Sequence, residues 1–368
     1  MTVHHIYPYR SFHRDTLRQQ LAEAGIGTLC HYPVPIHRQP CFASRFQGED
    51  YPMAETLAAE ELSLPLSPAM TEAEAERVAA AVKAAEAGQA IPQGDPVSYS
   101  DISRLTASYG TTLEEAACRV IRSGWYVQGS ECRAFEQEFA NYCAGKAGLW
   151  QLHCVGCANG LDALTLLLIA LKQRNGWTAQ SEVIVPALTF IATAQAVLRA
   201  GLTLRLCDIT PDGLMDPMSA ATAITPQTVA LLPVHLYGRR ADLDELSQLA
   251  DIHGLALVQD AAQGHGLPLD VKSGALQAAF SFYPGKNLGA LGDGGAVVTD
   301  DGELAAHVRQ LANYGAKEKY CHEMPEAFNS RLDELQAALL RVKLTRLDED
   351  NARRSRIAAI YDKALARI

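Results

Sequence analysis

The chain has 368 residues with 42 acidic and 32 basic side chains, a formal net charge of -10 that gives no electrostatic footprint for nucleic acid. Hydrophobic content of 48% and charged content of 20% are those of an ordinary globular protein, long enough to fold as two domains. No basic run suits an anionic membrane and no 18-residue apolar stretch predicts a membrane span. The start Met1-Thr2-Val3-His4-His5 lacks the pattern of a signal peptide. Nine scattered cysteines fit a reducing cytoplasm better than a disulfide framework. Cys154 and Cys157 form a lone C-x-x-C with no second pair at zinc-ligand spacing, so they are read as core residues and no metal is expected.

In chain order, Leu17 and Leu21 at i, i+4 with Gly25 beyond them predict a helix over 14–24, and Ile26 to Cys30 reads as a strand. Two prolines exclude regular structure over His31-Tyr32-Pro33-Val34-Pro35-Ile36-His37. Helices are expected over 53–61 and 71–86, the second opened by a Thr71/Glu74 capping box, with Leu62-Ser63-Leu64 a short strand cut off by Pro65. Residues 1–86 thus read as a small α+β domain, and the Gly/Pro-bearing stretch 87–98 as a linker.

From residue 99 strands alternate with helices: strands over 182–185, 202–206, 229–234, 255–259, 279–282 and 296–299, and helices over 161–171, 191–200 and 242–253. Near-continuous apolar strands in such alternation argue a mainly parallel sheet covered on both faces, within a large domain spanning 99–340. A helical pattern over 332–368 is long enough to bend or break, its last part (341–368) returning to the small domain.

In such a sheet ligands bind beyond the carboxyl ends of the strands. Asn159-Gly160 opens an apolar helix whose free N–H groups offer an anion site. Thr189-Phe190, Asp260-Ala261-Ala262-Gln263 and Ser281 with Lys286 each follow a strand end. Lys286 sits on the Pro284-Gly285 turn, where burial would favour its neutral, nucleophilic amine. A phosphate site, an aromatic face, a carboxylate, an amide and a lysine together describe a pocket for pyridoxal phosphate (PLP). The carboxylate would keep the pyridine nitrogen protonated, and the lysine would hold the aldehyde.

These residues also carry a resemblance. SGWYVQG (123–129), ANGLDAL (158–164), PVHLYG (233–238), DAAQ (260–263), the stretch 281–295 and NSRLDELQA (329–337) resemble the nucleotide-sugar aminotransferases of the DegT/DnrJ/EryC1/StrS type. These are PLP enzymes of fold type I, aspartate aminotransferase-like. The resemblance implies that Lys286 binds the cofactor covalently, Asp260 meets the pyridine nitrogen, Gln263 its ring hydroxyl, and Phe190 stacks on the ring. Gly160, Leu161 and Ser281 would hold the phosphate, joined by Asn329 from the other subunit of a homodimer. His31, Tyr32 and Tyr126 would line the sugar end. The implied reaction moves an amino group from glutamate, leaving 2-oxoglutarate, to C3 of a dTDP-3-keto-6-deoxyhexose. A C4 aminotransferase and a PLP-dependent sugar dehydratase are the rivals, and a non-catalytic binding homologue would not need Lys286. The chain departs from the pattern in order: residues 3–86 resemble the family's C-terminal segment yet stand first, as after a circular permutation. Ile368 and Met1 are then expected within about 20 Å of each other.

Overall fold

The architecture is that of a computed structural model describing residues 1–269, 274–318 and 320–366. Four strands pair in parallel in the order Thr203–Cys207, Glu182–Pro186, Thr228–Leu231, Ala256–Leu257. Gln259–Asp260 continues the last of these and pairs in parallel with Gln277–Ser281. Val258 joins the two halves by donating its N–H to Leu231 O at 2.9 Å. Gly295–Thr299 then runs antiparallel to Gln277–Ser281, and His153–Cys157 antiparallel to Gly295–Thr299. The sheet is thus mainly parallel. It reverses after the loop that carries Lys286, residues 282–294, which holds no helix to cross back over the sheet.

Helix Gly160–Asn175 is apolar nearly all round from Ala163 to Leu171 and buried there, wedged between the sheet and helix Ile191–Arg199. Two helices without a counterpart among the expected elements pack on helix Glu334–Leu344: Thr112–Ser123 through Leu113, Ala116 and Val120 against Ala338 and Leu339, and Ser130–Ala147 through Phe135 and Phe139 in one cluster with Ala337 and Leu340. Cys154 and Cys157 are buried core residues on strand His153–Cys157, and burial pushes both thiols up.

The small unit is a two-stranded antiparallel pair, Tyr7–Arg10 with Glu61–Leu64, packed on helices Arg14–Glu23 and Glu72–Glu86. Thr71 and Glu74 form the expected capping box. Helix Leu347–Leu365 closes the same core: Ile357, Tyr361 and Leu365 cluster with Leu17, Leu21, Leu62, Val78 and Val82. Two bonds tie it there, Tyr7 Oη to Asp362 at 2.8 Å and Tyr361 Oη to Pro65 O at 2.7 Å. The first and last parts of the chain therefore form one core.

One strand expectation fails, and the long C-terminal pattern breaks as expected. Residues 26–30 are not a strand: Ile26 bridges only Val97, and Leu29 only Ser63. These partners lie on different segments, and Gly25 at φ +74° turns the chain into the stretch, so no ladder extends. The pattern from Leu332 is two helices, Glu334–Leu344 and Leu347–Leu365, broken at Thr345-Arg346. The 87–98 stretch is exposed apart from Ile91, half-buried against the small unit's core, and Val97, buried against Ile26. Ile368 lies outside the described residues, so its separation from Met1 is not measured.

Candidate active site

A cavity of about 770 Å³ opens at the carboxyl ends of the strands, between the large sheet and the small unit. Its floor is a glycine cradle. Asn159 Oδ1 accepts from the Asp162 N–H at 2.9 Å, capping helix Gly160–Asn175 and leaving the first-turn N–H groups of Gly160 and Leu161 without intrahelical partners. Ser281, ending its strand, stands directly over Gly160: a Cβ there would come within 2.6 Å of the Ser281 Cβ and 3.2 Å of its Oγ. Only glycine lets the backbone approach so closely.

Asp260 ends the neighbouring strand, fully enclosed. One carboxylate oxygen accepts from Thr193 Oγ1 at 2.8 Å, the other from the Ala262 N–H at 3.1 Å. Burial raises its pKa, and these two bonds with the charge of Lys286 oppose that rise. Lys286 lies on a turn closed by its N–H to Tyr283 O at 2.8 Å. Asn287 pins the turn, donating to Val3 O at 3.0 Å and Asn351 Oδ1 at 2.8 Å. Burial brings the lysine down to about 8, only partly offset by Asp260. An amine at that value is substantially neutral near pH 8 and can act both as nucleophile and as proton carrier.

The opposite wall comes from both ends of the chain: His5, His31, Tyr32, Tyr99 and Arg354, with Phe190 and Gln263 beside them. Phe190 is half exposed, its ring 5.6 Å from that of Tyr32. Gln263 is buried; its Oε1 accepts from the Tyr237 N–H at 2.6 Å and its Nε2 donates to Tyr32 Oη at 3.1 Å. One amide hydrogen is left for a ligand. Burial and the nearby Lys286 charge lower His31 to about 4, so its ring is neutral at ordinary pH.

Two expected residues are not brought to this cavity. Tyr126 is exposed, its backbone carbonyl accepting from the Glu334 N–H at 3.1 Å, and Asn329 bridges Asn313 on the flank of the molecule. Within one chain neither lines the cavity. Three residues that the sequence reading passed over do line it: His5, Tyr99 and Arg354. Arg354 is 5% exposed, donates to Leu66 O at 3.2 Å, and leaves its Nε without a hydrogen-bond partner. Its only advance signal was an Asp350/Arg354 spacing on one helix, which reads as an ordinary surface pair.

A lysine on the loop beyond a strand end, a buried carboxylate across from it and an anion cradle at a helix N-terminus define a pyridoxal phosphate-dependent transferase. The chain belongs to the DegT/DnrJ/EryC1/StrS aminotransferase family, whose model matches residues 2–83 and 108–368. It is 50% identical over 275 residues to the erythromycin biosynthesis sensory transduction protein EryC1 of Saccharopolyspora erythraea (73% of this chain, 72% of that protein). It is 48% identical over 274 residues to the dTDP-3-amino-3,4,6-trideoxy-alpha-D-glucose transaminase of Streptomyces venezuelae (73% and 69%). Among solved structures it is similar to S. venezuelae DesV in complex with a ketimine intermediate, at 47% identity and a TM-score of 0.66, covering 73% of this chain and 70% of that one. The chain is a PLP-dependent aminotransferase. Its own residues fit the cofactor: the Gly160/Ser281 cradle is shaped for a phosphate, and Asp260 is a buried carboxyl group suited to a pyridine nitrogen. Among the described residues no group of side chains could hold a metal ion, and no helix is long and apolar enough to cross a membrane.

Proposed function

We propose that this aminotransferase moves the amino group of glutamate to C3 of a dTDP-linked 3-keto-6-deoxyhexose. The observation that carries the reading is the Lys286 amine, held near 8 in the same cavity as the buried Asp260 carboxylate. When bound, PLP supplies the electron sink that stabilises charge on the donor's α-carbon. Lys286 binds the cofactor aldehyde; once freed, its Nζ takes the proton from that α-carbon and delivers it onward. Asp260 keeps the ring nitrogen protonated. The N–H groups of Gly160 and Leu161 with the Ser281 hydroxyl hold the phosphate, Phe190 covers one ring face, and the spare amide hydrogen of Gln263 meets the ring hydroxyl.

Arg354 is the buried cation left for the donor's carboxylate, while His31 and Tyr32 face the sugar. Asn329 and Tyr126 serve the cavity of a second copy, making the protein a homodimer with shared sites. The C3 assignment is supported by the name of the S. venezuelae relative, a 3-amino sugar transaminase. Retention of Lys286 favours transamination over dehydration or a purely regulatory role.

The permuted order belongs to the same reading. Residues 1–86 are the family's C-terminal segment carried to the front. In support, the family model takes two separate blocks, and the continuous matches to relatives stop at 73% of this chain. Incubation with glutamate and a panel of dTDP-keto sugars, read by mass spectrometry, should yield a C3-amino sugar and 2-oxoglutarate. Amination only of a 4-keto sugar, or loss of water without nitrogen gain, overturns the assignment.

A further inference from the structure

Glu61 is a carboxyl group with 1% exposure, buried in the small unit's strand and unused by the chemistry above. Its Oε2 accepts from the backbone N–H of His31 at 2.6 Å, and its Oε1 accepts from the Ser63 hydroxyl. Ser63 Oγ in turn lies 2.7 Å from Nδ1 of His31, whose ring borders the cavity beside Lys286. We propose that Glu61 and Ser63 are positioning residues that fix the tautomer of His31, so that its Nε2 presents a lone pair to the cavity and accepts a hydrogen bond from a hydroxyl of the sugar substrate. This rests on the reading that His31 faces the sugar.

The direction of the chain follows from what each group can donate. A backbone N–H can only donate, so it commits one oxygen of Glu61 as acceptor. With Glu61 ionised the other oxygen also accepts, and the single hydroxyl hydrogen of Ser63 goes to it. Ser63 then has only lone pairs for His31, so the hydrogen between them sits on Nδ1. A neutral imidazole has one N–H, and with it on Nδ1 the Nε2 atom is an acceptor. Nε2 has no protein partner among the described residues. Burial raises Glu61 to about 7, opposed by the bonds from Ser63 and His31 and by the Arg14 charge, so the carboxylate form prevails at pH 8. The other ionisable groups around it are Cys30, His31, Tyr32, Tyr99 and Tyr237; burial raises the thiol and the three phenols and lowers the imidazole, so all five are neutral at that pH. Tyr99, stacked on His31 at 5.8 Å, also meets the Ser63 hydroxyl; with that hydroxyl's one hydrogen on Glu61, Tyr99 donates to the second Ser63 lone pair and the order is unchanged. An acceptor at this position selects a substrate hydroxyl and cannot donate to a ketone oxygen, which excludes His31 as the group that polarises the reacting carbonyl.

Glu61→Gln tests this because it is nearly isosteric and reverses the chain. The glutamine oxygen must still meet the His31 N–H, so its NH2 faces Ser63, the Ser63 hydroxyl turns toward Nδ1, and the ring hydrogen moves to Nε2. Nitrogen-15 spectra of histidine-labelled protein at pH 8, with the His31 signals assigned by their loss in His31→Gln, should show the Nδ1–H tautomer in the wild type. They should show the Nε2–H tautomer in Glu61→Gln and a mixture in Ser63→Ala. KM for the keto sugar should rise about tenfold in Glu61→Gln while kcat changes little, the cost of one lost hydrogen bond. A wild-type Nε2–H tautomer, or an unchanged tautomer in Glu61→Gln, overturns the proposal. If Glu61→Gln does not fold, the wild-type spectrum and Ser63→Ala still decide it. Because the spectra need no turnover, failure of the sugar aminotransferase reading would appear separately, as absence of wild-type product.

Discussion

Gly160 and Ser281 lie so close that a Cβ on the glycine would stand 2.6 Å from the serine Cβ. The contact joins a helix N-terminus to a strand end, and the phosphate is proposed to sit where they meet. Gly160→Ala must push the strand end away or shift the helix, an overpacking that costs about 1–3 kcal/mol. We expect cofactor affinity to fall at least about tenfold, measured by titrating PLP into the cofactor-free protein, with helical content unchanged by circular dichroism. Wild-type affinity in this variant would place the phosphate elsewhere.

Lys286 sets function against stability. Its amine is brought from 10.5 to about 8 in the folded protein, so the fold disfavours the charged form. The cost is full below pH 8, where the unfolded chain carries the charge freely, and vanishes above the unfolded value of 10.5. Cofactor-free Lys286→Met should therefore melt higher than wild type at pH 7, by about 1–3 kcal/mol or a few degrees, with the gap closing toward pH 11. The variant should also lose transamination and the visible band that PLP acquires when bound to the lysine. A lower melting temperature at pH 7 would mean that attraction to Asp260 outweighs burial.

The sheet, the long apolar helix from Gly160 and the placing of Asp260, Gln263, Ser281 and Lys286 around one cavity were legible because local pattern and global role agree there. Apolar runs end in turn residues, and the chemistry follows each strand end. The Ile26–Cys30 error has a different origin: its backbone partners, Val97 and Ser63, are set by tertiary packing that no local pattern records. Arg354 was invisible for a related reason. Its helix reads as charged and solvated, and only docking against residues 1–86 turns that face inward.

Arg354 offers the donor a fixed positive charge whose Nε has no other partner. Replacing it with methionine keeps length and packing while deleting the charge. KM for glutamate should rise on the order of a hundredfold, the scale of a lost charge-assisted hydrogen-bond pair, with a much smaller change for the keto sugar. Steady-state kinetics with each substrate varied in turn separates the two, and an equal loss for both would assign Arg354 a structural role only.

Asn329 and Tyr126 lie away from the cavity of their own chain, so the homodimer proposal has a direct test. Asn329→Asp would set a negative charge against the partner's phosphate and should inactivate that site. Lys286→Ala inactivates the site of its own chain. If sites are shared, co-refolding the two dead variants places both defects in one site of the mixed dimer and frees the other. About a quarter of wild-type activity should return, since half of the dimers are mixed and each has one sound site. No recovery, together with a monomeric mass in solution, would exclude a shared site.

The order of the chain can be tested by restoring the order proposed for the family: residues 98–368 followed by a linker and then residues 1–97. The core of the small unit already joins the two ends, with Tyr7 bonded to Asp362 at 2.8 Å and Leu365 packed among Leu17, Leu21 and Leu62. Met1 is six residues from Tyr7, which bounds its distance at about 22 Å, and Ala366 is one helical turn beyond Asp362. A Gly/Ser linker of about a dozen residues therefore spans the gap without strain. The cut between 97 and 98 falls where Val97 is anchored to Ile26 by reciprocal backbone bonds, Gly27 N–H to Val97 O and Val97 N–H to Gly25 O, both 2.9 Å. Val97 stays on the segment that contains Ile26, so the cut severs no paired backbone group. Closing a loop of this size costs only a few kcal/mol of entropy in either order, because the dependence on length is logarithmic. The rearranged protein should fold to the same far-ultraviolet spectrum, bind PLP with unchanged affinity and turn over its keto sugar at a comparable rate. A rearranged chain that is soluble and folded but does not bind the cofactor would mean that the present order is required to seat Arg354 and His31 against Lys286. The permutation proposal would then fall.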